Sequence, residues 1–437
     1  MKNHLPRAGR NAPRAGVALA LMFCAAIHAA GGVDPSTLDG KVLLGYQGWF
    51  DCPNDGSPTQ TWSSWARSGV PSPETLTIDL FPDVSELDAD ELCALPGFTI
   101  GGKQAYVFSA WHRKTMVRHF RWMQDYGLDG VLVQRFVGRI RGKRESGEVQ
   151  LKNVMAGAQE YGRTFAIEYD ISGGDPATFA QTLKDDWMYL VDELKLTAHP
   201  NYQRHNGKPV LSIWGMGLNQ AGHPPPTAQA AKDLIDWFRE KAPEKYRVTY
   251  IGGTPARWGT LTVDSYKEPE WAGVFASMDV VQPWTVGRYR DLESVDKWKD
   301  DVLVPDLKLT AKNHQLYMPV IFPGFSWHNL RKTSPENQIP RLRGEFLWRQ
   351  AYNAKMAGAK VLKIAMFDEV NEGTAVFKVA SHRKDAPDQG YWLTLDADGA
   401  ELPSDSYLRL AGEITRMFHG EIKPDSKLPA NPGPKAK

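Results

Sequence analysis

Three cysteines in 437 residues is a sparse supply, and no two of them have the spacing of a zinc site. No His-rich cluster compensates, so neither a metal nor a cofactor is expected. The chain also lacks an excess of charge of either sign: 52 Lys plus Arg stand against 51 Asp plus Glu, a formal net charge of +1. Without a broad basic field nothing holds a phosphate backbone, which argues against a nucleic-acid partner. No glycine-rich phosphate turn follows the first strand-like run, which argues against a dinucleotide-binding sheet. Beyond the N-terminus there is no long apolar run, no internal repeat except alternating strand and helix patterns, and no sign of a second domain.

What is present begins with an export pattern. Lys2, Arg7, Arg10 and Arg14 precede the apolar run Val17 to Ala30, so residues 1–30 read as a signal peptide cleaved near Ala29 to Gly31. The run is about 14 residues against the roughly 20 that a span needs, so an uncleaved anchor is the weaker reading. The mature protein is expected in the periplasm or outside the cell, with no stable membrane anchor. Cys24 leaves with the signal. Cys52 and Cys93 remain, and an even pair in an oxidising compartment invites a disulfide; two buried free thiols are the alternative. The Pro- and Lys-rich tail, 421–437, is expected to be disordered.

Between these ends, strand-like runs alternate with helical ones. The strands are read at Lys41 to Trp49, Asp129 to Phe136, Thr164 to Ser172, Lys208 to Gly217, Arg247 to Gly253, Met278 to Val286, Leu316 to Trp327 and from Val361 onward. Helical periodicity fills the intervals from His112 to the closing helix Ser404 to Phe418. Eight buried-type strands alternating with helices predict an α/β fold, a single (β/α)8 TIM barrel over 33–420. An open doubly wound sheet is the alternative. The segment Phe50 to Ala110, rich in Pro, Gly and Asp, is too long for a plain connection and forms an insertion after strand one. Both mature cysteines lie within it, and it is expected to wall one end of any cleft.

In such a barrel, function collects where strands end. Those ends carry Tyr46 and Trp49, Gln134 and Arg135, Tyr169 and Asp170, Trp214, Gln282 and Trp284, and Trp327 and His328. Rings, amides and carboxylates converging on one face suit a sugar, with rings for its apolar faces and polar groups for its hydroxyls. Arg135 also reads as a partner orienting a carboxylate, His328 as a brace for its loop and Trp214 as core filling. In strand eight, alternation puts Lys363, Ala365, Phe367 and Glu369 on the lumenal side, with Glu372 just beyond. Two carboxyls so placed suit acid/base or nucleophilic work on a glycosidic bond. An N-cap cluster or a solvated acidic loop is the bland reading of the same residues.

The stretches GYQGWF at Gly45 to Phe50, YDISG at Tyr169 to Gly173, QPW at Gln282 to Trp284, PGFSWHN at Pro323 to Asn329 and FDEVNEGT at Phe367 to Thr374 together resemble the glycoside hydrolase family 71/99-like group. The resemblance implies a (β/α)8 enzyme cleaving an α-linked glycan, an α-mannoside by analogy with family 99, with retention. It implies that Glu369 draws the proton from the sugar 2-hydroxyl to close a 1,2-anhydro intermediate. Glu372 would serve as acid and then base, and Tyr46 would touch the sugar at the point of cleavage. Val370 and Asn371 replace the Trp and His of the family 99 motif, at positions expected to shape the site. An α-1,3-glucanase-like hydrolase and a non-catalytic glycan-binding barrel are the alternatives.

Overall fold

The computed structural model describes Met1 and residues 31–140, 144–220 and 226–429. The expected signal peptide and the last eight residues of the tail therefore lie outside the described residues, Met1 apart. Short runs of aliphatic residues form the strands: β1 Val42–Tyr46, β2 Gly130–Phe136, β3 Thr164–Asp170, β4 Lys208–Trp214, β5 Thr249–Thr254, β6 Val280–Pro283, β7 in two pieces, Leu316–Tyr317 and Val320–Ile321, and β8 Leu362–Ile364. Every neighbouring pair is parallel. The first piece of β7 pairs with β6 and the second with β8, so the sheet closes into a barrel through the break at Met318-Pro319. Pro319 has no N–H for the ladder, yet its carbonyl accepts from the Lys363 amide at 3.0 Å.

The surrounding helices are α1 Arg113–Asp125, α2 Arg144–Tyr161, α3 Phe179–Asp192, α4 Ala228–Asp236, α5 Glu270–Ala276, α6 Leu292–Trp298, α7 Val304–Lys312, α8 Glu345–Met356 and α9 Ser406–His419. The longer ones bury an apolar face. In α1 the buried set is Thr115, Met116, His119, Phe120, Trp122 and Met123, the spacing of one helical face. The chain does not end its packing at 420. The Trp348 indole donates to the Asp425 carbonyl at 2.9 Å, and Leu428 packs partly against the core, so the described part of the tail is held.

Inside the barrel runs a polar seam. Lys363 Nζ lies 2.5 Å from Glu168 Oε1, both side chains fully buried. Ser212 Oγ donates to Glu168 at 2.9 Å, the Gln134 amide donates to it at 3.3 Å, and Lys363 also donates to Gln282 Oε1 at 3.3 Å. Five strands thus share one buried ion pair beneath the carboxyl end of the barrel.

The insertion carries its own antiparallel hairpin, Leu92–Ile100 with Lys103–Phe108. Cys52 and Cys93 are disulfide-bonded across 41 positions. Replacing both with serine should lower the unfolding free energy by about 4 kcal/mol, from the chain entropy of a loop that size. Urea midpoints of the two forms check this; equal midpoints would deny the staple any weight. The insertion then folds over the end of β8. The Asp79 and Leu80 amides donate to the Val370 carbonyl, and Asp79 accepts from Ser326 Oγ at 2.5 Å and the Asn329 amide at 2.7 Å.

Candidate active site

β8 ends at Ile364, and the residues beyond it fold into a tight loop rather than prolonging the strand. Its alternation therefore stops short of the prediction. Phe367, expected in the lumen, packs outward on Tyr46 and His119, at 5.7 and 5.4 Å between ring centroids. Met366 turns inward against Gly45, where a Cβ would lie 2.1 Å from its sulfur, so a larger residue there would have to displace the Met366 side chain. Glu369 does reach the lumenal mouth. Its carboxylate accepts from Gln47 Nε2 at 2.7 Å and from Thr374 Oγ1 at 2.9 Å, and the residue is 6% exposed. Asp368 accepts from the Gln47 and Gly48 amides at 2.8 and 2.7 Å, clamping the end of β1 to this loop.

Glu372 is half-buried, and no donor among the described residues bonds its carboxyl. Its backbone is fixed instead. The Glu372 carbonyl accepts from the Ser326 amide at 2.9 Å, and Gly373, at φ +65°, lies so close to Ser326 that a Cβ would meet its nitrogen at 2.8 Å. Arg341 is buried and donates to the Gly373 and Ala375 carbonyls at 2.9 and 2.7 Å. Burial pushes the Glu372 carboxyl up to about 7, against the pull of the Arg331 guanidinium. Burial, then the charge of Glu372 and then that of Asp368 push Glu369 well above the carboxylate range, while its hydrogen bonds oppose the rise. A charge on Glu372 thus disfavours one on Glu369 beside it.

The two carboxyls open into a cleft of about 450 Å³. Trp49 stacks on Phe136 at 5.3 Å, Trp214 meets Trp284 edge-on at 5.7 Å, and Trp327 meets Phe325 at 5.0 Å, so three aromatic pairs form its sides. Gln47, Gln134, Asp170 and Ser172 add polar groups. Burial holds Asp170 up at about 6 despite hydrogen bonds from Ser172. Gln47 Oε1, Gln134 Oε1, Trp49 Nε1 and Trp327 Nε1 are buried without a protein partner. Leaving such groups unmade is costly, and hydroxyl-bearing ligands would satisfy them.

No family model matches the sequence, and no curated protein matches it. Solved structures do match the fold. The glycoside hydrolase family 99 endo-α-mannosidase from Bacteroides thetaiotaomicron, in complex with Bis-Tris propane, superposes with a TM-score of 0.60 at 17% identity, over 88% of this chain and 99% of that one. A second structure of the family 99 enzyme from that organism gives 0.59 over the same shares, again at 17% identity. A glycoside hydrolase-like protein gives 0.52 at 15% identity, over 80% of this chain and 98% of that one. The chain has the family 99 fold.

On that family-99-type barrel the expected site residues divide. Trp49, Gln134, Asp170, Trp214, Trp284, Trp327, Glu369 and Glu372 come together in the cleft. Tyr46 does not: it points outward under α1, its hydroxyl 2.8 Å from His119 Nδ1, because Leu43, Gly45 and Gln47 take the lumenal side of β1. Arg135 and Tyr169 also face outward, both bonding Asp186 of α3 at 2.6 Å, so the carboxylate that Arg135 orients is not one of the cleft's. Gln282 lies in the polar seam below the cleft floor. His328 braces its loop, with its ring nitrogen 2.8 Å from the Ser334 carbonyl and its amide donating to Asp79.

Two further expectations are corrected. Val370 is fully buried in the core, and Asn371 donates to the Ser64 carbonyl at 2.8 Å and to Thr77 Oγ1 at 2.9 Å. Both bind the insertion and neither lines the cleft. Asp51, Ser63 and Ala110 of the insertion wall an adjoining cavity that shares Gln47, Trp49, Gln134 and Phe136 with the cleft. Residues not singled out from the sequence, Gln47, Phe136, Ser172, Phe325 and Arg331, do line the cleft. Among the described residues, the only close group of three candidate metal ligands is Asp88, Asp90 and Glu91, remote from the cleft and paired with Lys114 and Arg118.

Proposed function

We propose that the protein is an exported retaining glycoside hydrolase that cleaves an α-linked glycan, an α-mannoside by likeness to the family 99 enzymes. The observation that carries the proposal is the pair of carboxyls at the carboxyl mouth of the barrel, both raised by burial, inside a tryptophan-lined cleft. Burial and the charge of Glu372 raise Glu369, so its base role rests on the hydrogen bonds from Gln47 and Thr374 that favour its ionised form, while no donor among the described residues holds the carboxyl of Glu372. The sugar stacks on tryptophan faces so that its 2-hydroxyl meets Glu369. Glu369 takes the hydroxyl proton, O2 closes on C1, and Glu372 gives its proton to the departing glycosidic oxygen. Glu372, now a carboxylate, draws a proton from water; the water oxygen attacks C1, and O2 recovers its proton from Glu369. Two inversions at C1 leave its configuration retained. No step calls on a metal.

Two measurements test this. On α-mannan and α-1,3-glucan, the first-formed reducing sugar observed by NMR should be the α-anomer. A first-formed β-anomer, or no release from any α-linked glycan, rejects the reading, and the substrate that is cleaved separates mannanase from glucanase. The pH profile gives a second check. Glu372 acts while protonated and its carboxyl sits at about 7, so kcat/KM should fall as pH rises through that value. A rate flat from pH 6 to about 9 would remove Glu372 as the acid.

A further inference from the structure

Arginines near the cleft mostly have partners. Arg288 bonds Asp264 at 2.7 Å, Arg135 holds Asp186, and Arg341 holds two backbone carbonyls. Arg331 differs. It lines the cleft, is exposed, and its guanidinium carbon lies 5.4 Å from the centre of the Trp327 ring. No carboxylate among the described residues pairs with it. Its backbone is nonetheless fixed, donating to the Trp327 carbonyl and accepting from the Ser334 amide, each at 2.7 Å. A rigidly based, ring-supported cation thus faces the cleft with its donors unspent.

Its position is costly for an enzyme that acts on a neutral sugar. Arg331 is the cation whose charge works against the proton on Glu372, the group that must keep one. An anion delivered by the substrate would cancel that effect and take up the guanidinium donors in the same step. We propose that Arg331 recognises an anionic substituent, a carboxylate or a sulfate, on the sugar at the leaving-group side of the cleaved bond. The assignment deepens the glycosidase reading and rests on it. Trp327 then stacks beneath the same sugar, and the charge that binds the substrate also lets the acid retain its proton.

The test uses the full-length mature enzyme and three probes: α-1,2-linked mannotetraose, its C6-oxidised uronate form and its 6-O-sulfated form. Wild type is expected to favour at least one charged probe over the neutral one by about 10-fold in kcat/KM, the scale of a charge-assisted contact half open to water. In Arg331→Gln that ratio should collapse towards one, and Arg331→Lys should retain part of it. The preferred charged probe identifies the substituent. Cleavage of the neutral probe with no preference in wild type, or a preference that survives in Arg331→Gln, overturns the inference while the glycosidase reading stands. If none of the probes is cleaved, tryptophan-fluorescence titrations of the same three decide. Tighter charged-probe binding that is lost in Arg331→Gln supports the inference, and equal binding overturns it.

Discussion

Glu372→Gln should lower kcat on an unactivated glycan by about a thousandfold, within the usual range for loss of a general acid/base, while leaving the melting temperature nearly unchanged. The glutamine keeps the shape of the side chain, and no hydrogen bond from the described residues is lost, because none reaches that carboxyl. What disappears is the proton for the leaving oxygen and later the base for water. On a substrate whose activated leaving group departs without that proton, added azide, which needs no base to attack, should restore part of the turnover and be trapped as an α-glycosyl azide. Glu369→Gln should be comparably slow but unresponsive to azide, since the 2-hydroxyl then stays protonated and the first step fails. Near-wild-type rates in either variant would end the assignment. Azide rescue of Glu369→Gln but not of Glu372→Gln would exchange the two roles.

The largest stability effect is expected from Lys363→Met. Lys363 and Glu168 are both fully buried and 2.5 Å apart, so removing the ammonium leaves a carboxylate uncompensated in the lumen. Breaking such a pair costs about 3 to 5 kcal/mol, whereas replacing both charges is far less damaging. Lys363→Met should therefore show a sharply lowered urea midpoint, and Lys363→Met with Glu168→Gln should recover much of it. A single variant as stable as wild type would mean the seam carries no such debt. Because Lys363 Nζ also lies 5.3 Å below the Trp284 ring, substrate binding should weaken even in the double variant.

The barrel was legible in the sequence because its strands, buried on both faces, read as unbroken aliphatic runs between helical periods. The acidic mouth was legible too, since a strand ending in a carboxylate loop is visible without coordinates. Failures cluster where alternation was trusted too little or too far. Tyr46 and Trp49 differ by three positions, so a straight β1 cannot present both to the lumen; counting from Gly45 would have found Gln47 instead. For Tyr169, the same rule already pointed outward. In β8 the reverse holds, because three residues of ladder do not carry a period of two as far as Phe367. Val370 and Asn371 were misread for another reason. Partners 294 positions upstream in the chain leave no local signature, and only the folded insertion shows what they bind.

That seam has a practical meaning. The hexapeptide from Glu369 to Thr374 is not a cassette that a protein engineer could lift into another barrel. Its Val370 carbonyl and Asn371 amide are already committed to residues 64–80, so a transplant without that segment would strand both groups. Retuning what the cleft accepts therefore begins at its rim, at Arg331 and Gln338, which line the opening and hold none of the stitches beneath.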